Sequence, residues 1–158
     1  MIRDERPHDP AIAQAVDLLR RFGLAPAATP SFRLVTPAEF AEHPEVAMLR
    51  AFRLERRAVM DPVIYVVRTN AVYRLAQRGD DCGYTLLAST TLHELVHGTG
   101  EDERAAIRAE VGFLRRVVAV GGRATDSLMW QVRELEHRLQ APQLTVLDRL
   151  PTRALGAK

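Results

Sequence analysis

Leu92-His93-Glu94-Leu95-Val96-His97-Gly98-Thr99-Gly100 is the stretch on which the reading of this chain turns. It contains His-Glu-x-x-His inside a run that reads as helix. Residues four apart on a helix lie on one face, a turn apart. His93 and His97 therefore aim two imidazoles at one point, and Zn²⁺ is the usual occupant of such a point. Glu94, beside the first histidine, is placed to take a proton from a water on that ion. The bare pattern also occurs by chance in surface helices, as two solvated histidines and a solvated glutamate. The flank argues otherwise: Tyr84-Thr85-Leu86-Leu87-Ala88-Ser89-Thr90-Thr91-Leu92 is mostly apolar or small. That flank predicts a buried helix, where two histidines and a glutamate are costly unless satisfied.

Gly98-Thr99-Gly100 is a strong helix stop. Beyond it, Glu101-Asp102-Glu103 opens a second helical pattern, and Glu101, Glu103 and Glu110 compete as third ligand. Two antiparallel helices joined at the glycines place residues at equal distances from the turn opposite each other. Centring the turn near Gly100 sets position 103 across from His97 and position 107 across from His93, and Glu103 is the only carboxylate in that interval. Glu101 is still in the turn, and Glu110 falls about 10 Å further along at 1.5 Å per residue. Glu110 shares a helix face with Glu103, so it reads either as a hydrogen-bond partner of a ligating histidine or as a solvated charge.

The totals fit one domain over residues 1–158, long enough for a real core. Composition is ordinary globular, 47% hydrophobic and 27% charged, which argues against overall disorder. The formal charge is +2, and the sequence pI of about 9.1 comes from a small arginine excess, with Lys158 the only lysine. That balance and the lack of a basic-aromatic pattern point away from nucleic acid. Cys82 is alone, so no internal disulfide forms. Met1–Pro10 is charged with no apolar core of a signal peptide, and no apolar run approaches a membrane span. A cytoplasmic protein with no membrane partner is the expectation.

Along the chain, Asp9 and Pro10 open a helix that Gly23 ends. Ser31–Val35 alternates like a strand and Thr36–Glu39 reads as a cap and short helix; within Glu45–Arg57, alternation over Ala51–Arg56 favours a strand, while Met48 and Leu49 would also fit a helix. Val63-Ile64-Tyr65-Val66-Val67 is β-branched and aromatic, the clearest strand in the sequence. Helices are expected at Asn70–Gln77, Tyr84–Gly98, Asp102–Val120 and Thr125–Gln140. Residues 141–158 read as a loose tail in which Leu144, Val146, Leu147 and Leu150 could pack back. The fold class is α+β: a small sheet of about three strands, the histidine helix, a following glutamate helix and a further C-terminal helix.

Val63–Val67, then a helix, then Leu87-Ala88-Ser89-Thr90-Thr91-Leu92-His93-Glu94-Leu95-Val96-His97-Gly98-Thr99-Gly100 resembles the small bacterial zincins of the minimal gluzincin type. The metallopeptidase domain of anti-restriction proteins shares this look. The resemblance covers roughly Val63 to Leu114. Such families carry Glu-x-x-Ala on the helix after the zinc helix, its glutamate being the third ligand. Glu103-Arg104-Ala105-Ala106 keeps that pattern, while Ile107 stands where an aromatic is frequent. The resemblance implies a zincin-like domain with one Zn²⁺ per chain on His93, His97 and Glu103. It also implies a hydrolase acting on a peptide or protein through zinc-activated water, with Glu94 as the base. It implies as well a strand along the cleft at Val63–Val67, either an edge that pairs with substrate or an interior strand. Tyr65, Tyr73 and Tyr84 are candidates for stabilising an oxyanion, against core packing for each. His8, His43 and His137 have no partner spacing and read as surface residues. The alternative function is a zincin-fold regulatory or binding module with little or no general proteolysis.

Overall fold

The computed structural model describes residues 9–25, 30–56, 59–121 and 124–151. Helix α1 (Pro10–Arg21) starts where the sequence supplies both a cap and a proline. Asp9 Oδ1 accepts from Ile12 N at 3.0 Å, and Pro10 sits where no N–H is needed. The other Asp9 oxygen accepts from Tyr73 Oη at 2.7 Å and ties α1 to α2 (Ala71–Gln77), itself capped by Asn70. Asp80 accepts from Gly83 N at 3.0 Å and caps α3 (Asp81–Gly98). That cap starts α3 ahead of Tyr84, where its apolar pattern begins. Gly83 is required there: a Cβ would stand 2.4 Å from Ala76 N of α2. Helices α4 (Glu103–Gly121) and α5 (Thr125–Leu139) follow within a residue or so of their expected bounds.

The fold is α+β, with five strands rather than about three. They are β1 (Phe32–Val35), β2 (Ala51–Arg56), β3 (Val59–Met60), β4 (Ile64–Val67) and β5 (Arg149–Pro151), and two short 3₁₀ turns, Pro37–Phe40 and Pro44–Met48, lie between β1 and β2. β3 and β5 are too short to show an alternation in sequence. β4 is an interior strand, parallel to β1 on one side and antiparallel to β2 on the other. Its backbone is thereby taken, which removes Val63–Val67 as an edge for an extended peptide. β2 pairs antiparallel with β3 at Glu55–Arg56 and with β4 at Ala51–Phe52. The slack between the two pairings is taken up at Asp61-Pro62-Val63, where Asp61 Oδ1 accepts from Val63 N at 2.9 Å.

The sheet separates two cores. Ile64, Val66 and Ala51 face the helices and join a cluster with α1, α2, α3, α4 and α5. Tyr65, Val67, Val35, Val46, Phe52, Leu54 and Leu150 form the second, with Phe40 packed against it. Period-2 alternation in β4 serves both, so all four of its residues are buried.

The expected loose tail is seated in part. β5 runs parallel to β2 with Leu54 opposite Leu150, and Leu150 is 1% exposed. Leu144 packs on the helical core, whereas Leu147 is 59% exposed. Residues 152–158 and His8 lie outside the described residues. Among the described residues, no helix is long and apolar enough to cross a membrane.

Candidate metal centre

α3 runs through the middle of the helical layer and is buried on nearly every side. Its polar residues meet that burial locally: Thr85, Thr90 and Thr91 hydroxyls donate to the carbonyls of Asp81, Leu86 and Leu87. The chain leaves α3 at Thr99-Gly100, where Gly100 adopts φ +89° and its N–H donates to His97 O at 3.0 Å. Asp102 Oδ1 then accepts from Ala105 N at 2.8 Å and starts α4, which returns antiparallel. This tight reversal brings the first turn of α4 against the last turn of α3.

The histidines and Glu103 meet as the turn geometry requires. Glu103 Oε2 lies 2.7 Å from His97 Nε2 and 3.2 Å from His93 Nε2. Asp148, on the residue before β5, brings Oδ2 to 3.2 Å from His93 Nε2. One ligand atom from each of His93, His97, Glu103 and Asp148 lies within 4.8 Å of all the others. Donors about 2.0–2.2 Å from one tetrahedral ion lie about 3.3–3.6 Å apart; the separations here run from 2.7 Å to within 4.8 Å and bracket that spacing. This cluster could bind a metal ion.

The far nitrogens say the same. His93 Nδ1 donates to Glu110 Oε2 at 2.8 Å, and Ser89 Oγ donates to the other Glu110 oxygen at 2.9 Å. His97 Nδ1 donates to Glu101 O at 3.1 Å. Glu110 sets the proton on His93 Nδ1, and the shorter contact to the Glu101 carbonyl favours it on His97 Nδ1 over the 3.4 Å approach of Arg149 Nη2, a donor only. Both Nε2 lone pairs then point at carboxylate oxygens. Lone pair against carboxylate is repulsive unless a cation or an extra proton stands between them. In the metal-free protein the proton does this for His93. Burial lowers its pKa, but Asp148, Glu103 and Glu110 together outweigh burial and push it up to about 12. Burial likewise raises Glu103, yet the two histidines pull it down to about 2. The donor chemistry fits a divalent metal, with neutral imidazoles and carboxylates on one point.

Glu94 stands off this set. It is 1% exposed, and burial followed by the Asp148 carboxylate pushes its pKa well above the usual carboxylate range. The Glu94 and Asp148 carboxyls lie close enough to share a hydrogen bond when one of them is protonated. Arg53, at 4% exposure, reaches through from β2. Its Nη2 donates to Glu94 O at 2.8 Å, its Nη1 to Asp61 O at 3.1 Å, and its Nε faces Glu94 Oε2 at 3.6 Å. Arg138, from the last turn of α5, donates to Glu103 Oε1 at 3.2 Å, leaving Oε2 for the histidines.

Glu103 is therefore in the cluster, and Glu110 is the partner behind His93. Glu101 contributes a carbonyl, not its carboxylate. None of the three candidate tyrosines lines the cleft over His93 and Glu94. Tyr65 stacks on Phe52 on the opposite face of the sheet, Tyr73 is bonded to Asp9, and Tyr84 packs on the helical core. His43 pairs with exposed Glu45, and His137 is exposed. Sequence reasoning missed Asp148, Arg53 and Arg138. The one signal for Asp148 was its place two residues before Leu150, a candidate for packing back. Compared with protein-family models, with curated proteins and with solved structures, the chain finds no match.

Proposed function

We propose that the chain is a zinc-dependent peptidase of zincin-like architecture in which His93, His97 and Glu103 hold the ion and Glu94 moves the proton. The observation that carries this reading is the convergence of two Nε2 atoms and Glu103 Oε2, with each Nδ1 already committed. Two histidines and a glutamate form a donor set used by hydrolytic zinc enzymes. A zinc ion bound there would polarise the scissile carbonyl and bring a coordinated water to a pKa of about 7. Glu94 is the residue that would accept the proton of such a water as its oxygen attacks the carbonyl carbon, and would return it to the amine nitrogen as the C–N bond breaks. Arg53 fixes the Glu94 peptide, Glu110 with Ser89 orients His93, and Arg138 holds the unused oxygen of Glu103.

A second reading, a zincin-fold binding module with little hydrolysis, is favoured by Asp148. It adds a fourth protein donor, whereas catalytic zinc sites keep a position open. The test is turnover of a peptide library by chain purified without a histidine tag. Glu94→Gln is expected to keep one zinc per chain and lose hydrolysis by about 10²–10⁴-fold. Zinc at one per chain with no peptide cleaved by the wild type would leave the binding module standing instead.

A further inference from the structure

We propose that Asp148 is a ligand of the same ion and fills the position of the attacking water, so that β5 holds the site in a latent form. The proposal rests on the peptidase reading for its consequence, but the coordination by Asp148 does not.

Three observations converge. Asp148 belongs to the four-residue cluster, and neither of its buried oxygens has a hydrogen-bond partner of good geometry. Its ion-pair partner is His93, with Nε2 3.2 Å from Oδ2, and a buried carboxylate so thinly met by donors is stabilised by a metal cation. Asp148 also meets both Glu94 and His93: it approaches His93 Nε2 at 3.2 Å and lies within hydrogen-bond reach of the Glu94 carboxyl. A water attacking on the way to Glu94 needs that same place. Finally, the cleft lined by His93, Glu94 and Glu103 holds only about 200 Å³, less than the roughly 300–1,000 Å³ of ordinary ligand pockets. Asp148 and Leu147 form part of its wall.

The seat of β5 is suited to release. The strand is three residues long and is anchored by Leu150, by the bond from Arg53 N to Asp148 O at 2.9 Å and by the 3.4 Å approach of Arg149 Nη2 to His97 Nδ1. Against this, Arg53 stands directly opposite Arg149 in the parallel register, and Arg149 Nε is buried without a partner. Like charges directly opposite weaken strand pairing. Arg53 touches both sides of the switch, since its N–H holds the Asp148 carbonyl and its guanidinium holds the Glu94 carbonyl.

The experiment compares wild type, Asp148→Ala, Asp148→Asn and Leu150→Ala as full-length chains. Zinc affinity is read by chelator competition, Co²⁺ substitution by its visible absorption, and access to the ion by calorimetric binding of acetohydroxamate. Asp148→Ala is expected to weaken zinc by about 10-fold or more, to change the Co²⁺ spectrum, and to tighten hydroxamate binding at least tenfold. Leu150→Ala, which removes the buried anchor of β5 and lies outside α3 and α4, is expected to loosen the strand and give the same hydroxamate gain. Asp148→Asn keeps the side-chain shape and stands in if the alanine variant does not fold. Unchanged zinc affinity, Co²⁺ spectrum and hydroxamate binding in the Asp148 variants would overturn the proposal, whatever the turnover. The full set of metal changes without any peptide cleavage would support Asp148 as the ligand and overturn the peptidase reading alone.

Discussion

The two faces of the sheet are buried alike and filled differently. On one, Phe52 stacks on Tyr65 with ring centroids 5.2 Å apart, Phe40 meets both edge-on, and Val35, Val46, Val67 and Leu150 close the cluster. On the other, the C-terminal half of α3 gathers His93, Glu94 and His97 against Glu103, Glu110 and Arg53, all buried. The first face is complete with side chains alone, because apolar area removed from water needs no further partner. The second is incomplete with side chains alone. Its acceptors outnumber its donors at the two Nε2 atoms, and only a proton or a metal ion closes the count. Stability is expected to be intrinsic on one face and conditional on the other.

The largest effect in testing that contrast comes from the apolar face. Phe52→Ala is expected to cost about 3–5 kcal/mol in urea unfolding, the range for a buried aromatic truncated in a core. Zinc stoichiometry of the folded fraction should not change, and its loss would show that the two faces are not independent.

Next comes the ion. Zinc at about 100 times its dissociation constant is expected to add about 2.7 kcal/mol, with the increment depending on pH. Glu103, held down to about 2 from an ordinary value of 4.5, contributes stability present above pH 4.5 and lost as pH falls towards 2. His93, raised to about 12 from 6.5, contributes stability complete below pH 6.5 and lost as pH rises beyond it. The metal-free chain should therefore be most stable between pH 4.5 and 6.5. In the proposed zinc form the ion takes the place of the His93 proton, so thermal melts with and without chelator are expected to diverge more at pH 8 than at pH 5.5. Equal divergence at both would break the argument.

The smallest effect separates the two glutamates of α4. Glu110→Gln is expected to weaken zinc by at most about 10–100-fold, as loss of a ligand's hydrogen-bond partner does. Glu103→Gln should weaken it more, and the reverse ranking in a zinc titration would exchange their roles.

What the sequence disclosed follows how far each interaction reaches along the chain. His93, His97 and Glu103 share one helix-turn-helix, so spacing and a turn centred on Gly100 suffice to bring them together. The role of Glu110 was one of two open readings, and its bond to His93 decides it. Asp148 arrives through the pairing of β5 with β2, a contact no local pattern encodes. Arg53 sits at a position that alternation assigns to solvent, but β2 is covered on both faces, so the arginine lies inside. β4 was legible as a strand and not as interior, because its neighbours β1 and β2 come from separate parts of the chain.

Gly98, noted in the sequence only as part of a helix stop, has a second role. A Cβ there would stand 2.8 Å from Arg53 Nη2, the nitrogen that donates to Glu94 O. Positions 53 and 98 are therefore expected to covary among related chains. A glycine at 98 should accompany arginine at 53, and a bulkier residue at 98 is expected to push the Arg53 guanidinium off Glu94 O.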